Sequence, residues 1–231
     1  MKDRPGRAQP DMGNRAYDSQ GRRFEKKVTV AGTVTLHHRY IYRGYLQIAA
    51  LDLTRSAHPA LWFVTWDPSQ PVATRPLALQ KDGNWFTYGY DLTKNICEVF
   101  GPAGYIRTVY AYAPFGAVTA SGDVTQPFQW SSEYYDSELD LVYYNYRHYS
   151  PSLGRFLSRD PIAEQGGLNL YAFAGNNHIQ GKEILGWWAW PWEDIEDCIE
   201  IVRVNNRRRI YGDICRSKYN SSSVDLKICS F

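Results

Sequence analysis

No stretch of this chain is apolar for long enough to cross a bilayer as a helix, and Leu-rich heptads are absent. Neither a membrane span nor a helical bundle is expected. Net charge is only +2, so the overall balance does not favour nucleic acid as a partner. Met1 to Gly21 is polar and rich in Arg, Asp, Gly and Pro, and it lacks the apolar segment of a secretory leader. Secretion or display at the cell surface would need another route, and a truncated orphan fragment would stay in the cytoplasm. Cys-x-x-Cys does not occur, and no His lies after Gly186, so a zinc site of ordinary spacing is not expected. No cofactor is implied. His37, His38 and His58 have no carboxylate or Cys at ligand spacing and read as structural.

Aromatic residues are what the chain has in excess, with 18 Tyr and 8 Trp. Such rings suit the half-buried surface of a pleated sheet. They recur at Tyr17, Tyr40/Tyr42, Trp62/Trp66, Trp85/Tyr88/Tyr90, Tyr110/Tyr112 and Tyr134/Tyr135, roughly every 20–24 residues, a period suited to stacked strand-and-turn units. One hairpin cannot bury an aromatic face alone, whereas stacked neighbours can. Ala31-Gly32 and Arg43-Gly44 punctuate the first units. The clearest unit is Phe86 to Asp91, a turn at Gly101 to Gly104, then Tyr105 to Tyr112, closed by Pro114-Phe115-Gly116. Pro68, Pro71 and Pro76 argue that Trp66 to Leu79 is a loop or an edge segment. Ser121 to Gln129 reads as a turn-rich connector.

Turn signals are densest between Tyr143 and Trp188: Ser150-Pro151, Leu153-Gly154, Asp160-Pro161, Gly166-Gly167, Gly175-Asn176-Asn177 and Leu185-Gly186. The pieces between them are too short for an ordinary helix. This stretch resembles the core signature of the Rhs/YD-repeat family. The resemblance is carried by Tyr143, Tyr144, Arg147, Tyr149, Pro151, Gly154 to Ser158, Asp160, Pro161, Ile162, Gly166, Gly167, Asn169, Leu170, Tyr171, Phe173 and Asn177. His148 takes the place of a family Tyr and reads as packing. Tyr17-Asp18-Ser19-Gln20-Gly21-Arg22 is similar to the unit from which YD repeats take their name.

The expected fold is therefore mainly β: antiparallel YD-repeat hairpins, a fragment of a shell, ending in a turn-rich core and a small tail. The division runs 1–14 as a disordered start, 15–142 as degenerate repeats, 143–187 as the core and 188–231 as a variable tail. In the family, the resemblance implies, long arrays spiral into a hollow β-cocoon around a C-terminal toxin, and the core seals it.

The resemblance also implies a pair of carboxylates. In toxin-linked members a downstream motif marks aspartic-type self-cleavage, in which two carboxylates act together because two close acids cannot both ionise. Carried over by position, the upstream acid is Asp160 and the downstream acid is Glu183, with the scissile position after Trp187. His178 and Ile184 stand where the family has proline, Glu183 where it has Asp, and Trp187 where it has Leu. These departures predict a vestigial pair and a chain that stays whole. The alternative reading is a turn-capping Asp160 and a solvated Glu183.

After Gly186 the composition changes. Trp187, Trp188, Trp190 and Trp192 crowd together, an acidic run follows, and Cys198, Cys215 and Cys229 fall close together. They are candidates for one disulfide whose pairing the sequence does not give, with free buried thiols as the alternative. Arg207 to Arg209 reads as a solvated hairpin tip, since nearby acids leave the tail nearly neutral.

Three roles compete: a structural core module partnered by the rest of a shell or its own tail; a small secreted effector tail, with an immunity protein as partner; and a surface module binding carbohydrate through exposed rings. Exposure of Tyr88, Tyr110 and Trp130 separates the last from the first.

Overall fold

The computed structural model describes residues 14–69, 75–177 and 182–189. Ten antiparallel strands follow one another in a single sheet, each paired with its sequence neighbours. They are β1 (Arg15–Tyr17), β2 (Arg23–Val30), β3 (Thr33–Arg43), β4 (Leu46–Asp52), β5 (Ala60–Trp66), β6 (Pro76–Lys81), β7 (Asn84–Tyr90), β8 (Ile96–Phe100), β9 (Ile106–Tyr112) and β10 (Val118–Gly122). A second sheet of β11 (Tyr134–Asp136), β12 (Leu141–Tyr144), β13 (Arg147–Ser150) and β14 (Arg155–Phe156) packs against it, and β15 (Lys182–Ile184) pairs with β16 (Trp187–Ala189). The mainly antiparallel β architecture expected from the aromatic spacing is the one observed.

Alternation decides which rings go inward. In β5, Trp62 and Val64 are buried while Phe63 and Thr65 face out; in β9, Thr108 and Tyr110 are buried while Arg107, Val109 and Ala111 face out. Two-residue turns with positive φ at both positions join β2 to β3 (Ala31-Gly32) and β6 to β7 (Asp82-Gly83), matching the twist of the flanking strands. Asp18, Asp52, Asp67 and Asp91 each accept the backbone N–H two residues on, at 2.8–3.0 Å. Asp18 also holds the Arg22 Nε at 2.7 Å, so the Asp and Arg of the Tyr-Asp-x-x-Gly-Arg unit clamp one turn.

One expectation changes. Trp66 to Leu79 is not wholly loop: β6 begins at Pro76 and lies between β5 and β7. Proline is tolerated there because it is the first residue of the strand. β12 spans positions 142 and 143 and pairs with β11 and β13. Residues 1–13 and 190–231, hence Cys198, Cys215, Cys229 and the Arg207 to Arg209 tip, lie outside the described residues, as does His178.

In a meander of this kind alternate turns lie at the same end, and the core segment runs along one of those ends. Gly21 packs against Tyr146, Tyr45 bonds Tyr146 at 2.8 Å between hydroxyls, Ser132 Oγ donates to Lys94 O at 2.6 Å, and Tyr149 OH donates to Phe115 O at 2.9 Å. Phe128, Tyr134 and Tyr143 complete the sheet's buried face beside Tyr40, Trp62, Leu79 and Val99. A separate cluster of Trp130, Val142, Tyr144, Tyr149, Phe156 and Phe173 forms the centre of the core.

The two sheets are also locked electrostatically. Arg23 of β2 reaches Asp136 of β11 at 2.5 Å with neither side chain exposed, and Lys26 meets the same carboxylate at 2.5 Å. The Arg23 guanidinium stands 4.6 Å from the Tyr143 ring centre and 5.3 Å from those of Tyr40 and Tyr134. Burial opposes ionisation of Asp136, but Arg23 and Lys26 outweigh it and hold its carboxyl down at about 2.

Candidate functional site

The core cluster carries one buried charge centre. Arg147 sits at the first position of β13, one residue after the β12–β13 turn, and its side chain is 1% exposed. The guanidinium carbon stacks 3.6 Å from the centre of the Phe156 ring. Its donors reach four groups from three parts of the chain. Nη2 pairs with Asp160 Oδ2 at 2.9 Å and with Glu183 Oε2 at 3.4 Å. Nη1 donates to Leu170 O at 3.4 Å, and Nε donates to Gly186 O.

Local structure places each acid. Asp160 stands in the turn after β14, where its N–H donates to Leu170 O at 2.9 Å and its Oδ1 accepts the Ile162 N–H at 3.0 Å. Glu183 is the middle residue of β15, and its Oε1 accepts the Ala174 N–H at 2.8 Å. The β15–β16 turn is Leu185-Gly186, with φ of 56° and 79°. A Cβ at Gly186 would lie 3.1 Å from Tyr144 and 3.2 Å from Arg147, so the Arg reaches the turn carbonyl past a glycine. Tyr146 N–H donates to Leu185 O at 3.2 Å and holds the same turn from the other side.

The structure thus brings together the two acids that the family pattern singles out, through an arginine to which the sequence reading gave no role. The signal for Arg147 was present in its position between Tyr144 and Tyr149: a cation flanked by core aromatics must be paired once buried. Asp160 does cap its turn. Glu183, however, is fully buried rather than solvated. Its register partner is Trp188, and that of Ile184 is Trp187, so the peptide between the two tryptophans lies across the hairpin from the Glu183–Ile184 peptide.

Burial dominates the electrostatics of all three groups. It pushes the Glu183 carboxyl up to about 7, with Arg147 and the Ala174 N–H offsetting only part. It also raises Asp160 against the Ile162 N–H and Arg147, and it lowers Arg147. Two carboxylates and one guanidinium would leave a net negative charge in the core, and a proton kept on Glu183 near neutral pH removes it. Every carboxylate oxygen of the pair faces an N–H donor: Ile162 and Arg147 for Asp160, Ala174 and Arg147 for Glu183.

The remaining titratable groups stand apart. His37 has a carboxylate partner after all, Glu25 at 2.8 Å, supplied across β2–β3 where sequence spacing does not show it. His148 packs 5.3 Å from the Tyr143 ring centre, and burial lowers it to about 4. Tyr110 and Trp130 are buried, and Tyr88 is half-buried with its hydroxyl donating to Gln126 Oε1 at 3.3 Å. Among the described residues no cluster of His, Cys, Asp and Glu could hold a metal, and no helix is long and apolar enough to cross a membrane.

No family model matches the chain. It is 38% identical over 85 residues to double-stranded DNA deaminase toxin A of Burkholderia cenocepacia, a match covering 34% of this chain and 6% of that protein. It is 45% identical over 51 residues to toxin protein Tse5 of Pseudomonas aeruginosa, covering 22% and 4%. Toxin subunit YenC2 of Yersinia entomophaga is 30% identical over 127 residues, covering 53% and 12%. These relatives are toxins. In structure, 75% of the chain matches 9% of a chain in the TcdB2–TccC3–TEV crystal structure at TM-score 0.59 and 22% identity. A Photorhabdus luminescens Tc holotoxin pore gives 0.59 and 21% over 76% of this chain and 9% of that one. The fold is that of a small part of the TcdB2–TccC3 assemblies, and the chain matches only a small fraction of the length of each toxin named here.

Proposed function

We propose that this chain is the C-terminal core module of an Rhs-type YD-repeat toxin shell, and that it anchors and presents the variable tail after residue 187. The toxin relatives and the shared fold support the class. The Arg147 centre is the observation that carries the role. It ties β13, the Asp160 turn, the Leu170 carbonyl and the β15–β16 hairpin into one buried knot immediately before the tail. Secretion belongs to the same proposal, as does partnership with the rest of a shell. Carbohydrate binding through Tyr110 or Trp130 is disfavoured, because those rings are inside the protein.

In this reading the pair Asp160 and Glu183 serves as a pin and the chain stays whole. Arg147 bridges the two carboxyls, while the Ile162 and Ala174 N–H groups hold their other oxygens, which supports a pinning role. Partial trypsin digestion tests the anchoring role. The bond after Lys182, inside β15, resists cleavage in the wild-type chain and is cut at least about tenfold faster in Glu183→Ala, where the Arg147 and Ala174 contacts are gone. Equal rates in the two proteins contradict the anchoring role.

A further inference from the structure

His148 lies on the seam between the two sheets. It stands on β13 opposite Tyr143 of β12, and the two ring centres are 5.3 Å apart. The same Tyr143 ring carries the Arg23 guanidinium at 4.6 Å, and its hydroxyl accepts the Arg23 N–H at 2.7 Å. One tyrosine of the core thus receives a cation from β2 and an imidazole from its own sheet. The charged groups that act on His148 come from three elements: Arg15 of β1, Arg23 and Lys26 of β2, and Asp136 of β11. Asp136 is already shared by Arg23 and Lys26, each at 2.5 Å. Lys26 also pairs with Glu138, just beyond β11.

This cluster has no place for a further cation. Arg15, Arg23 and Lys26 stand against Asp136 and Glu138, so positive charge is already in excess. Neutral His148 adds none, and its Nε2 is buried without a hydrogen-bond partner, as is the Arg15 Nε. A proton on His148 would set a second cation against the Tyr143 ring with no free acid to pair it. His38, the register partner of Lys26 on β3, meets a similar surrounding: burial and then Lys26 lower it as well. His148 occupies a position where the Rhs pattern has Tyr, so this titratable group at the seam belongs to this chain.

We propose that His148 is an acid-sensitive latch: neutral, it lets β11–β13 close on β1–β2, and protonated, it drives the core away from those strands while the middle of the ten-stranded sheet stays folded. Burial, reinforced by Arg23, lowers His148 from the usual 6.5 to about 4, so the closed seam excludes the proton. The effect is absent above pH 6.5 and grows as pH falls toward 4. Asp136, held at about 2, stays ionised through that window, so its ion pairs are not what fails first. His148 points to the opposite face of β13 from Arg147, and the latch does not depend on the anchoring role of that centre.

Hydrogen exchange of the full chain, read by mass spectrometry on peptides covering β2, β6–β8 and β11–β12, tests the latch at about pH 7 and about pH 5. His148→Phe is measured beside the wild type at each pH, so the intrinsic pH dependence of exchange cancels in their ratio. From the higher to the lower pH, the ratio of wild-type to variant exchange rates rises about tenfold in β2 and β11–β12 and stays constant in β6–β8. A ratio that does not change in β2 and β11–β12 overturns the proposal. A rise shared equally by β6–β8 also overturns it, since His148 then tunes only the stability of the whole chain. If His148→Phe does not fold, His148→Gln takes its place under the same two criteria.

Discussion

Arg147 Nη2 lies 2.9 Å from Asp160 Oδ2, with side-chain exposures of 1% and 5%. A buried pair of this kind contributes little over a well-packed apolar replacement, yet it is costly to break from one side. Arg147→Met leaves Asp160 and Glu183 as buried acids without their cation. The variant is expected to lose about 3–5 kcal/mol in urea unfolding. Adding Asp160→Asn and Glu183→Gln to it recovers much of that loss, since no uncompensated charge remains. A loss below about 1 kcal/mol for Arg147→Met would show that the centre contributes little to stability.

Glu183 predicts a pH dependence. Its folded-state value of about 7 lies above the ordinary 4.5, so the folded protein holds the proton more tightly than the unfolded chain. Its contribution is fully present below pH 4.5 and declines as pH rises through 7, by up to about 3 kcal/mol. Glu133 slopes the same way, and His148, lowered to about 4, slopes the opposite way below 6.5. The difference between wild type and Glu183→Gln isolates Glu183. The wild-type chain loses stability relative to the variant between pH 4.5 and 7, as read by unfolding at several pH values. Parallel curves would contradict the assignment.

Much of the fold is legible in the sequence, for a physical reason. Tyr-x-Tyr alternation, Asp-Gly and Ala-Gly turns and the Asp18–Arg22 clamp are local, so each hairpin announces itself within a few residues. The core is less legible because its energetics are long-range. Nothing near Glu183 in sequence says that it is buried; Arg147, Ala174 and Asp160 come to it from other elements. The same holds for His37, whose partner Glu25 lies across a strand pair, and for Pro76, whose place at a strand's first residue decides whether β6 can exist.

Two glycines separate backbone strain from packing. Gly32 has φ +79° and open space where a Cβ would go, while Gly116 has φ +84° and a Cβ there would stand 2.6 Å from the Trp130 ring. Gly32→Ala is expected to cost about 1–2 kcal/mol from the left-handed backbone alone. Gly116→Ala is expected to cost about 1–3 kcal/mol more, because Trp130 is buried in the core cluster and cannot swing away. Chemical denaturation of the two variants checks this, and equal losses would mean that Trp130 yields freely.

The central claim is that Asp160 and Glu183 pin the end of this module and do not cut it. The most direct measurement is the intact mass of the purified full chain, with the N-terminal sequence of any fragment. The account predicts one species near 26.6 kDa. A second species beginning at Trp188, abolished by either Asp160→Asn or Glu183→Gln, would contradict it and show that the pair is a working self-cleavage site.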